Sequence, residues 1–94
     1  MWIDSLKKHI NNEIAYSPET KAYLVGLIDS IPSNDPEAYL SQLINKINNA
    51  GINRSRELAK FLSRVLAEYR NYKQDDMSVE ECLTMLDNII LGRR

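Results

Sequence analysis

Apolar residues recur at three- and four-residue steps along most of this chain, and no stretch alternates apolar with polar positions. The first pattern implies helices that each bury one stripe, and the lack of the second implies no strands. The longest instance is RSRELAKFLSRVLAEYRNYK, residues 54–73, where Leu58, Phe61, Leu62, Val65, Leu66, Tyr69 and Tyr72 share one face. Arg56, Lys60, Arg64 and Arg70 project from the opposite side, with Ser63 and Ala67 between them. A helix of this length spans roughly 28 Å. It is expected to be the rod around which the rest of the chain packs, able to touch most of the other helices.

Four shorter stripes accompany it. Ile3, Leu6, Ile10 and Ile14 predict a helix over residues 3–15, with Trp2 at its edge. Ala22, Leu24, Leu27, Ile28 and Ile31 predict one over 18–31, and Leu40, Leu43, Ile44 and Ile47 one over 36–50. Val79, Cys82, Leu83, Leu86, Ile89 and Ile90 predict the last, over 79–91. The fold expected for residues 1–94 is therefore all-α and single-domain: a compact five-helix antiparallel bundle or orthogonal array with one common core.

The boundaries carry their own chemistry. Ser17-Pro18-Glu19 reads as a helix start: serine can accept a free backbone N–H, proline lacks the N–H that would be unpaired, and glutamate favours the positive helix end. Asp35-Pro36-Glu37 repeats that logic. Asn53 or Ser55 is the expected cap of the long helix. Ser78 and Glu81 have the spacing of a capping box, flanked by Met77 and Cys82 as a hydrophobic staple. Gly51 suits a left-handed position after the third helix, Gly92 stops the fifth, and Arg93-Arg94 forms a loose tail. Gly26, inside the second helix, costs roughly 1 kcal/mol against alanine, a cost that close approach of a neighbouring helix would explain.

One internal echo stands out. Ala22-Tyr23-Leu24-x-x-Leu27-Ile28-x-x-Ile31 is repeated as Ala38-Tyr39-Leu40-x-x-Leu43-Ile44-x-x-Ile47. Either two related helices present Tyr23 and Tyr39 in equivalent places, or two core helices have arrived at one template. A single pair is too few for a solenoid.

Composition adds one point. Net charge over the 94 residues is −1, yet residues 1–50 carry −2, residues 51–74 carry +4 and residues 75–94 carry −3. Positive charge is thus gathered on the long helix, on one face of an otherwise near-neutral chain. The single cysteine, Cys82, has no intramolecular disulfide partner, so stability must come from packing. No signal-like n-region and no membrane-length apolar run is present, and a cytoplasmic, soluble protein is the expectation.

Candidate chemistry is sparse. His9 is the only histidine and has no second ligand at metal spacing, so it reads as a surface residue of the first helix. Cys82 sits on a buried stripe, where a nucleophile would want exposure and a basic neighbour. Asp75, Asp76, Glu80 and Glu81 lack the glycine and alternating oxygen ligands of a calcium loop and fit the electrostatics of a helix start. No glycine-rich phosphate loop occurs. No catalytic residue, metal ligand or cofactor-binding residue is assigned, and no cofactor is expected. The basic face, Arg56, Lys60, Arg64 and Arg70, is the candidate partner-binding surface. It suits an acidic protein surface better than nucleic acid, given the sequence pI of about 5.8, and it is equally compatible with a merely solvated flank.

Gly51-Ile52-Asn53, then RSRELAKFLSRVLAEY, a polar break and the leucine-rich ECLTMLDNII together resemble bacterial effector-associated and death-like adaptor domains. That resemblance covers residues 51–91 and implies a helical module that recruits a signalling or defence effector by like-with-like contacts. In size and in its MSVEE entry to the last helix, the chain is also similar to bacteriocin immunity proteins, which are four-helix bundles. The functions expected are a non-enzymatic interaction module, alone or as a homodimer, with an immunity protein or a weak nucleic-acid-binding regulator as alternatives.

Overall fold

A computed structural model describes residues 2–52 and 54–92, in five α-helices without a strand among them. They are α1 (Trp2–Asn11), α2 (Pro18–Ser30), α3 (Pro36–Asn48), α4 (Ser55–Tyr72) and α5 (Val79–Leu91). Local chemistry sets most of the starts. Thr20 N–H donates to the Ser17 hydroxyl at 3.2 Å, and Ala38 N–H donates to the Asp35 carboxylate at 3.0 Å. At α5, Glu81 N–H donates to the Ser78 hydroxyl while Ser78 N–H donates back to the Glu81 carboxylate, closing the capping box. Gly51 and Gly92 both adopt the left-handed conformation, with φ of 67° and 75°.

The helices join in a ring. Each packs against its neighbours in sequence, and α5 closes the circle on α1. Successive helices run antiparallel, and a ring with an odd number of members cannot alternate all the way round. One pair must be parallel, and it is α1 with α5: Trp2 and Leu83 share one cavity wall, the Ser5 hydroxyl donates to the Asp87 carboxylate, and Lys8 and His9 lie beside Ile90 and Leu91. The core is continuous and contains no buried charged residue among the described positions.

Several expectations need correction. No helix occupies the centre: α4 packs on α3 and α5, and it meets α1 through side chains such as Phe61, stacked on His9. Ile14 is not part of the α1 stripe. The helix ends at Asn11, whose carbonyl accepts from the Lys21 ammonium at 2.9 Å, and the chain then turns back to begin α2, leaving Ile14 94% exposed. Tyr72 and Val79, at the last and first turns of α4 and α5, stand beyond the reach of the facing helices and are 51% and 75% exposed. Ser55 is the first helical residue of α4 and not its cap. The cap position is Arg54, in the left-handed conformation (φ 67°) with no side-chain cap bond. Asn53, the other candidate cap, and the Arg93-Arg94 tail lie outside the described residues. Gly26 faces open space, so no close helix contact accounts for it.

Candidate functional site

The outer flank of α4 carries the sequence-selected cations. Leu58, Leu62, Val65 and Tyr69 turn inward and are buried, which fixes the rotation of the helix and places Arg56, Lys60, Arg64 and Arg70 in solvent. Arg56, Lys60 and Arg64 follow one another at four-residue steps, one turn apart along the flank. Among the described residues none of these three enters an ion pair. Arg70 differs: its Nε lies 3.8 Å from the Glu37 carboxylate of α3, so it leans to the α3 edge and is partly neutralised. The structure therefore brings three of the four residues into one line and sets the fourth aside.

Phe61, on the opposite edge of this flank, gives it an aromatic component that charge counting missed. The His9 ring stacks on Phe61 at 4.0 Å between centroids and 3° between planes, and the Arg64 guanidinium carbon lies 5.5 Å from the Phe61 centroid. Glu57, Lys60, Phe61 and Arg64 line a shallow hollow of about 340 Å³. His9 is thus half-buried and not the plain surface residue its sequence position implied. Burial lowers its pKa below the ordinary 6.5; Glu13 opposes that shift and Arg64 adds to it. The imidazole is accordingly neutral at pH 7, and the stability linked to its burial declines as pH falls below 6.5, because the unfolded chain takes up the proton first.

Cys82 is buried beside Tyr69, as its stripe implied. Burial, then the Cys82 neighbour and the more distant Asp35 and Glu37, push the Tyr69 hydroxyl up to about 12. Among the described residues no group of three or more His, Cys, Asp or Glu could hold a metal ion, and no helix is long and apolar enough to cross a membrane.

The residue that sequence reasoning undervalued is Tyr39. It is buried in α3, donates its hydroxyl hydrogen bond to the Ile28 carbonyl of α2, and meets Trp2 of α1 edge-to-face at 4.9 Å and 87°. One side chain thereby ties three helices. Its partner carbonyl is one of the last four of α2, which no intrahelical N–H can reach. Only the paired template of α2 and α3 drew notice to this position, and it treated Tyr23 as the equal of Tyr39. No protein-family model, curated protein or solved structure matches the chain.

Proposed function

We propose that the chain is a small non-enzymatic protein–protein interaction module that binds an acidic surface of a partner protein through the outer flank of α4. The observation that carries this reading is the line of Arg56, Lys60 and Arg64: exposed, in register and without an internal counter-ion among the described residues. Concentrating charge of one sign on one face steers association and selects a complementary surface. Phe61 beside Arg64 adds the apolar contact that a purely ionic patch lacks. The resemblance of residues 51–91 to helical adaptor domains points the same way.

The test is the triple charge reversal Arg56→Glu, Lys60→Glu, Arg64→Glu. Helicity and melting stay near those of the wild type, because all three side chains are exposed, while capture of the partner from native-host extract is lost. Retention of the same partner by the triple variant removes the proposal. A short DNA duplex serves as the control: a complex that weakens steeply with salt would reassign the same cations to phosphate.

A further inference from the structure

Two features at opposite ends of the ring take no part in that flank. At one end α1, α3 and α5 begin and α2 and α4 finish, and between them lies an open groove of about 760 Å³. Buried Trp2, Tyr69 and Cys82 form its floor, and Ile3, Met77, Val79 and Leu83 make its mouth apolar. This end is acidic. Asp4, Glu37, Glu80 and Glu81 occupy the first turns of the three helices, Asp35 caps α3, and Asp75 and Asp76 form the turn before α5. Against them stand Arg70, held by Glu37, and Lys73, which lies 5.7 Å from the Tyr69 ring centroid.

At the other end the turn between α1 and α2 raises Ile14 into water, the most exposed large apolar side chain among the described residues. The turn is held by its own bonds: Glu13 N–H donates to the Ile10 carbonyl, Tyr16 N–H to the Glu13 carbonyl and Ala15 N–H to the Glu13 carboxylate. Such a knob is already ordered before it meets anything, which lowers the entropic cost of docking. Cations predominate at this end of the ring: Lys8, Lys21, Lys46, Arg54 and Arg56 against Glu13, Glu19 and Glu57.

We propose that the two ends fit each other in separate copies, the Ile14 turn of one molecule seating in the apolar groove of the next. One molecule cannot make this contact with itself, since α1 separates knob from groove by about 15 Å, its ten residues rising 1.5 Å each. The occupant is a second copy because the knob end bears the cations that the acidic groove end requires, and an acidic partner would be repelled there. A head-to-tail contact leaves one knob and one groove free on each pair, so it builds short open chains or a closed ring. A patch of this size belongs to the weak, transient class of interfaces. Of the α4 line only Arg56 lies at this end, and Ile14→Glu and Val79→Glu leave it intact, so they test the contact apart from the α4 flank.

The experiment is sedimentation of the full chain from micromolar to millimolar concentration at low and high salt. At low salt the average mass rises above the 10.8 kDa of the monomer as concentration increases, and added salt reverses the rise. Ile14→Glu and Val79→Glu, both at exposed positions and both expected to keep the wild-type circular dichroism, each hold at monomer mass. Mixed in equal amounts they form a dimer and nothing larger, because the first retains its groove and the second its knob. A wild-type chain monomeric at millimolar concentration, an Ile14→Glu chain that assembles like the wild type, or a mixture that stays monomeric would each overturn the proposal.

Discussion

Residues 22–31 and 38–47 spell one template, yet α2 turns Leu24 and Ile28 inward and leaves Tyr23 50% exposed, whereas α3 buries Tyr39 to 2% exposure together with Leu40, Leu43 and Ile47. The two helices present different sides of the same pattern because their neighbours differ. α3 lies between α2 and α4 and packs most extensively on α4, so its covered arc is wide enough to include the tyrosine. α2 lies between α1 and α3, and Tyr23 falls outside the arc those two cover. A hydrophobic stripe therefore fixes that a helix will bury one side, while the flanking helices fix which of its edge residues go in.

Alanine substitution breaks the comparison most sharply. Tyr39→Ala removes a large buried ring, the edge of Trp2 and a hydrogen bond, and is expected to cost about 3–5 kcal/mol by denaturant unfolding. Tyr23→Ala, at the equivalent template position, is expected to stay within about 0.5 kcal/mol. Equal losses at the two sites would mean that the tyrosines are equivalent after all.

Removing only the hydroxyl sharpens the same contrast. Tyr39→Phe leaves the Ile28 carbonyl without its partner and is expected to cost about 1–2 kcal/mol, while Tyr23→Phe changes nothing measurable. The alkaline limb gives an independent reading. Burial, then the nearby Asp29, push the Tyr39 hydroxyl up to about 12 from its ordinary 10.0, and Tyr69 is shifted similarly. The unfolded chain releases these protons first, so the stabilisation is full below pH 10.0 and is lost as pH rises toward about 12. Thermal melts across that window should fall steeply for the wild type and less steeply for Tyr39→Phe, where Tyr69 and Tyr16 remain. An unchanged slope would count against burial of the Tyr39 hydroxyl.

The smallest effect concerns the position at which the two templates differ in backbone freedom, Gly26 in α2 and Gln42 in α3. Both are exposed, and a Cβ at Gly26 meets nothing within 4 Å. Gly26→Gln should stabilise by about 0.5–1 kcal/mol, and Gln42→Gly should destabilise by a similar amount. Failure of Gly26→Gln to raise the melting temperature would reveal a constraint on α2 that its surroundings do not display.

What could be read from the chain alone was local. The helix starts at Ser17, Asp35 and Ser78 lie within three residues of the groups they bind, so sequence spacing is enough to specify them. The stripes of α4 and α5 were legible for the same reason except at Tyr72 and Val79, as were the outward directions of Arg56, Lys60 and Arg64. Ile14 was misplaced because periodicity continues past Asn11 while the backbone does not: the chain reverses there through bonds of the turn itself, with Lys21 of the next helix capping the Asn11 carbonyl. The stacking of His9 on Phe61 and the hydrogen bond from Tyr39 to Ile28 depend on which helices become neighbours, which no single stripe encodes. The groove likewise exists only where three helix starts and two helix ends converge.

The closing of an odd ring by a parallel pair has a consequence for how the molecule forms. Four of its five seams join elements adjacent along the chain, and such seams need only short loops to close, which favours rapid folding. The fifth, bridged by Ser5 and Asp87 across 82 residues of separation, waits until both extremities of the chain have been brought together. Its closure therefore carries the largest chain-entropy cost of the five.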